Sequence, residues 1–293
     1  MNINYDYLAK IRRAVSLYTR KKTSNILDGD FFSLHRGRSM DFDDLKEYSL
    51  GDDVHDIDWK SSSRFGTILV RRYMTDRRHN VMFICDRGAK FQGDTGTGES
   101  KEQLMLMAFG TLAYIVGRNG ADFALAYPGN TSANISLFRS GQEHLEKLLY
   151  TYGAVAATEG PVSLHDTIED MLNIVQKRMI IFLLTDREGL ASLNEGIIRS
   201  LTDKNDLLII NIEDAFLTDN GAFDNETGMY EKLFLSHNKK LREEELRNRE
   251  DILNHMSDIC KRNEAAIGCI SSEHDIIGCA IDLLERYRHG YYG

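Results

Sequence analysis

The chain has 293 residues, 42% of them hydrophobic and 28% charged, with a formal net charge of −9. The length suits one large α/β domain, or one with a small appendage, and the composition is that of an ordinary soluble globular protein. The acidic balance argues against nucleic acid or an anionic membrane as the main partner.

The N-terminus, MNINYDYLAKIRRAVSLYTRKK, has no uninterrupted apolar segment of signal-peptide type, and no apolar run reaches bilayer-spanning length. The four cysteines, Cys85, Cys260, Cys269 and Cys279, form no CxxC pair. A reducing, cytoplasmic location is expected.

The first 78 residues are rich in charge, Gly and Ser, with little periodicity before TILVRRYM (67–74), a candidate strand. They are expected to form an N-terminal segment packed on an α/β domain over 79–293. From about residue 80, apolar runs of strand length alternate with helical patterns. Strands are predicted at 81–85, 123–127, 135–138, 179–185, 207–212 and 267–270. Helical faces carry Leu104, Ala108, Leu112 and Ile115, then Leu145, Leu148, Leu149 and Tyr152, then Leu164, Ile168, Met171 and Val175. Ser100 with Gln103, Ser140 with Glu143, and Ser163 with Asp166 have the spacing of helix-capping pairs. A charged surface helix is predicted over 231–262 and a final helix over 275–288. Near-continuous apolar strands alternating with helices predict a doubly wound, mostly parallel sheet covered on both faces.

Between the first of these strands and its helix lies GDTGTGES, Gly93 to Ser100, close to the phosphate loop GxxxxGK[ST]. Glu99 replaces the lysine and would repel phosphate, so a flexible surface loop is the better reading. Asp86 and Asp186 each end an apolar strand, and ligands of parallel sheets gather beyond the carboxyl ends of strands. They are expected at one sheet edge, on adjacent strands, either converging on one object or capping the helices that follow.

RGRSMDFDDLKEYSLGDDVHDIDWKSSSRFGTILVRRY, Arg36 to Tyr73, carries a longer signature in Gly37, Asp44, Leu45, Tyr48, Gly51, Asp52, Asp53, Ile57, Asp58, Trp59, Arg64, Gly66, Val70 and Tyr73. On it the chain resembles the bacterial family called domain of unknown function 58, in its short form, whose members look like von Willebrand factor A domains. The resemblance implies a doubly wound fold and association with MoxR-type AAA+ ATPases that assemble or activate other protein complexes. Read physically, the signature's aspartates would hold the segment on the body through Arg64, Arg71 and Arg72, with Trp59 as a buried apolar anchor. A nuclease-like Asp56, Asp58 and Lys60 set is the weaker reading, because such triplets are common on surfaces.

Metal-binding von Willebrand domains use DxSxS after the first strand, a later Thr and a later Asp. Asp86 and Asp186 match, whereas Gly88 and Lys90 replace the serines, and Thr158, Val162 or Ser163 stands at the Thr position. Lys90 would repel a dication by several kcal/mol at a few Å. A degenerate metal site is therefore expected, with no metal and no cofactor, Lys90 lying between Asp86 and Asp186. The implied function is a non-enzymatic interaction module for a MoxR-type ATPase or its client, with Asp86, Arg87, Lys90, Asp186 and the 93–100 loop as contact surface. The alternative is a metal-dependent hydrolase or adhesion-type domain using Asp86 and Asp186.

Overall fold

The computed structural model describes residues 9–13, 41–49, 54–74, 80–154, 162–216, 223–224, 229–230 and 238–290. Gly37, Gly51, Asp52, Asp53 and Thr158 lie outside them, as do residues 231–237 of the predicted surface helix. The chain divides into two compact units, Phe31–Arg77 and the remainder, Met1–Asp30 with Arg78–Gly293.

In the smaller unit, β1 (Asp41–Glu47) pairs antiparallel with β2 (Leu69–Met74). Between them lies α1 (Trp59–Phe65), capped at its start by Asp58, whose carboxylate accepts from the Ser61 N–H at 3.0 Å. Gly66, at φ +74°, ends it in the left-handed conformation that glycine adopts without a Cβ clash. Asp58 thus caps the helix that carries Lys60, whereas Asp56 ends a separate 3-10 turn over Val54–Asp56. Trp59 is not the buried anchor expected: 66% of its surface is exposed, as is 73% of Phe65. The apolar positions of α1 follow no single face, so the helix buries none of its side chains.

The larger unit is built on a six-stranded sheet. Its strands are β3 (Asn80–Cys85), β4 (Asp122–Tyr127), β5 (Asn134–Ile135), β6 (Ile180–Asp186), β7 (Asp206–Ile212) and β10 (Ala266–Ile270). A two-residue pair, β8 (Phe223–Asp224) and β9 (Met229–Tyr230), stands apart. The sheet order is β10-β7-β6-β3-β4-β5. All pairings are parallel except β4 with the edge strand β5. This is the doubly wound sheet expected.

β5 is shorter than the predicted 135–138. The Leu125 N–H donates to the Ser136 hydroxyl at 2.8 Å, so a side chain replaces a rung of the backbone ladder there. β6 and β7 are buried along their whole length, and β3 from its second residue on, which accounts for their unbroken apolar runs.

Helices cover both faces. They are α2 (Lys101–Arg118), α3 (Gln142–Ala154), α4 (Leu164–Ile174), α5 (Arg187–Ser192), α6 (Glu195–Thr202), α7 (Lys239–Arg262) and α8 (Asp275–Gly290). Met82, Ile84, Ile181 and Leu183 pack among α4, α5, α6 and the second half of α7. On the other face Phe83 stacks on Phe182 at 5.4 Å and meets Phe109 of α2 edge-on at 5.3 Å. Ser100 and Ser163 cap α2 and α4 as their spacing predicts. α3 departs from the capping-pair expectation: its first hydrogen bond ends on the carbonyl of Gly141, at φ +99°, in place of Ser140. Residues 9–13 are helical and bury Ile11 fully against α2. A Cβ on Gly110 would stand 2.6 Å from the Ile11 Cδ1 atom.

Candidate functional site

Sheet order reverses between β3 and β6, since the chain winds to β4 and β5 on one side and to β7 and β10 on the other. Asp86 and Asp186 leave these two adjacent strands at their carboxyl ends. The Asp86 N–H donates to the Leu184 carbonyl at 2.9 Å, which sets the two strand ends side by side.

Both carboxylates are buried, Asp86 at 2% and Asp186 at 1% exposure. Asp86 accepts from the Arg87 N–H at 2.8 Å and from the Thr185 hydroxyl at 2.6 Å. Asp186 caps α5 by accepting from the Gly189 N–H at 3.0 Å. Lys90, on a short 3-10 turn over Ala89–Phe91, places its ammonium 2.7 Å from Asp86 and 3.5 Å from Asp186. It therefore bridges both strand ends, closer to Asp86.

Two further residues complete the cluster. Lys101, the first residue of α2, is 2% exposed. Its ammonium donates to Asp186 at 2.8 Å and to the Lys90 carbonyl at 2.8 Å, and it also contacts the Asp214 carboxylate. The Phe91 ring lies beneath it, 5.0 Å from ammonium to ring centre. Asp214 follows β7 and also faces the Arg187 guanidinium at 3.6 Å. Three carboxylates thus face two ammoniums and one guanidinium, a balance of charge inside a largely desolvated site.

The charges shift one another. Burial pushes the Asp86 carboxyl above its ordinary range, against the opposing pull of Lys90 and the Thr185 hydroxyl. Burial pulls Lys90 down, but Asp86 and Asp186 outweigh it, so its ammonium is held charged above the usual lysine range. Asp186 resists the same burial because Lys101 and Lys90 face it, and its carboxyl lies below the ordinary range.

A cation of the von Willebrand type does not fit these residues. Gly88 offers no side-chain oxygen and stands at φ +135°, ψ −177°, a conformation closed to serine without strain. Lys90 and Lys101 hold the carboxylate oxygens that a dication would need. Ser163 has its hydroxyl committed to Asp166, accepting from its N–H at 3.1 Å and donating to its carboxylate at 2.7 Å. The Val162 N–H donates to the Gly129 carbonyl at 2.9 Å.

The 93–100 loop lies at the surface as expected, with Gly96, Thr97 and Gly98 exposed, and hydrogen bonds tie it to neighbouring segments. Thr97 donates to the Ser271 carbonyl at 2.7 Å, and Glu99 accepts from the Glu273 N–H at 2.8 Å. The Ala215 N–H donates to the Asp94 carbonyl at 2.9 Å. The loop braces the exits of β7 and β10 to the start of α2, and Glu99 acts as an acceptor for backbone N–H.

Lys101, Thr185 and Asp214 were not among the expected site residues. Asp214 follows an apolar strand as Asp86 and Asp186 do. Lys101 opposes the dipole of its own helix at the first position, a local conflict that marks an external partner.

A family model described as "Protein of unknown function DUF58" matches residues 44–250, most of the chain. The chain belongs to this family. Relatives from Mycobacterium bovis and Mycobacterium tuberculosis, each described as an uncharacterized protein, are 24% identical over 144 residues, 49% of this chain. The chain spans 45% of the length of those curated relatives. Among solved structures, it is similar to the conserved hypothetical protein BatB from Bacteroides thetaiotaomicron, at 9% identity and a TM-score of 0.45 over 72% of this chain and 99% of that one. It is similar also to a von Willebrand factor type A protein from Catenulispora acidiphila, at 11% identity and a TM-score of 0.39 over 76% and 44%. No helix among the described residues is long and apolar enough to cross a membrane.

Proposed function

We propose that this chain is a non-catalytic interaction module whose loop face is held in shape by an internal ion cluster in place of a metal. The observation that carries the reading is Lys90, whose ammonium lies 2.7 Å from Asp86 and 3.5 Å from Asp186. An ammonium fixed there supplies the positive charge that two buried carboxylates require, so the strand ends hold their arrangement without an exchangeable ion. The partner proposed is a MoxR-type AAA+ ATPase or its client, on the family resemblance carried by the Arg36–Tyr73 signature. The contact surface is the rim of the cluster, with Lys90 and the braced 93–100 loop; Arg87, expected there too, is only 8% exposed and donates to the Pro128 carbonyl at 3.3 Å. A cytoplasmic setting follows from such a partner.

The test is binding of the full chain to a MoxR-type ATPase encoded in the same genome, with ADP present and EDTA in excess. Binding that persists under chelation is expected. Absence of binding in any nucleotide state removes the ATPase as partner. Separately, calorimetric titration with Mg²⁺ or Mn²⁺ is expected to give no saturable heat. Tight, stoichiometric cation binding, or metal-dependent turnover of phosphoesters, would instead establish the hydrolase or adhesion-type alternative.

A further inference from the structure

α7 is attached to the body in two different ways along its length. Its second half buries Met256, Ile259 and Cys260 in the core, with Ile252 and Leu253 packed alongside. Its first half, Lys239–Glu250, buries one side chain among the described residues, and that is a carboxylate, Glu245. Leu246 is 39% exposed. Apolar burial therefore holds the second half, whereas polar contacts hold the first.

Those polar contacts converge on the ion cluster. Glu245 accepts from the Arg249 guanidinium at 2.6 Å. Arg249 also donates to the Asp214 carbonyl and to the Ala215 carbonyl, each at 2.7 Å, and stacks 3.9 Å from the centre of the Phe216 ring. The Arg242 guanidinium lies 4.6 Å from the centre of the same ring. The Asp214 side chain, in turn, contacts Lys101. One residue thus presents its carboxylate to the internal cation and its carbonyl to the helix.

We propose that the first half of α7 is an arm whose docking is set by the Lys101–Asp214 pair. With the pair intact, the Asp214–Phe216 turn holds its two carbonyls and its ring at the spacing that Arg249 bridges. When the pair is broken, the turn is left to Arg187 on Asp214 at 3.6 Å and to the Ala215 N–H on the Asp94 carbonyl at 2.9 Å; it loosens, Arg249 loses the fixed spacing of its acceptors, and Lys239–Glu250 frays while 251–262 stays packed. A partner acting on the ion cluster would thereby change the helical surface of Lys239–Glu250. This device does not depend on the identity of the partner proposed above. It needs only that Lys101, Asp214 and Arg249 be energetically coupled.

Hydrogen exchange on the full-length chain tests it. In Lys101→Met, peptides covering 239–250 are expected to exchange about tenfold faster or more, with 251–262 close to the parent. Should Lys101→Met fail to fold, Asp214→Asn stands in, since it keeps the shape and removes the charge. A double-mutant cycle of Asp214→Asn with Arg249→Met, read as the exchange rate of 239–250, is expected to show non-additivity of about fivefold or more. Unchanged protection of 239–250, equal loss in both halves of α7, or additive effects in the cycle would each overturn the proposal.

Discussion

Replacing Lys101 by Met removes the most enclosed cation of the cluster and keeps the volume of the side chain. Two carboxylates lose a partner, and they are not equivalent. The Asp214 side chain is 20% exposed and retains Arg187, so solvent and a guanidinium compensate it. The Asp186 side chain is 1% exposed and keeps the Gly189 N–H at 3.0 Å and Lys90 at 3.5 Å. Breaking a buried pair by removing one member costs about 3–5 kcal/mol. With Lys90 still near Asp186, the lower end, about 3 kcal/mol, is expected at pH 7. Urea denaturation of parent and variant reads this directly.

The pH dependence gives an independent check on that magnitude. In the parent, Lys101 and Lys90 hold the Asp186 carboxyl below its ordinary range despite burial. A depressed carboxyl contributes stability that is fully present above the unfolded value of about 3.9 and is lost as pH falls through the folded one. The difference between parent and Lys101→Met should therefore be largest near neutrality. It should shrink as pH drops below about 4, where a protonated Asp186 needs no cation. A cost under about 1 kcal/mol at pH 7, or one that does not shrink in acid, would refute the view that Lys101 neutralises a buried carboxylate.

Gly189→Ala would place a Cβ 1.9 Å from the Thr185 hydroxyl and 2.5 Å from the Asp86 carboxylate. It should cost about 1–3 kcal/mol as overpacking and break the Thr185–Asp86 hydrogen bond, read as a fall in Tm that Thr185→Ala in the same chain partly restores. Trp59→Ala, at a position 66% exposed, should cost less than about 1 kcal/mol in urea denaturation; a loss of 3 kcal/mol or more would mean that the ring is covered in solution.

Much of the sheet and part of the site were legible from local pattern. The apolar runs at 81–85, 179–185 and 207–212 are long and β-branched or aromatic, and they became the buried centre of the sheet because a strand covered on both faces must be apolar throughout. Asp86 and Asp186 stand where such strands end, and Lys90 sits four residues from Asp86, close enough in sequence to be weighed against a metal. What tertiary structure alone decided spans longer distances. Lys101 meets Asp214 across 113 residues and Asp186 across 85, and no periodicity in either segment carries that pairing. Trp59, read within its signature, is expected to be a buried apolar anchor. Burial, though, depends on which neighbours a side chain faces, and the small unit turns this ring to its surface. Residue type and spacing determine which segments are strands and helices, because those depend on neighbours a few residues away. Which charges become buried partners depends on the order in which the strands line up, and that order was set only when the chain wound outward from β3 in two directions.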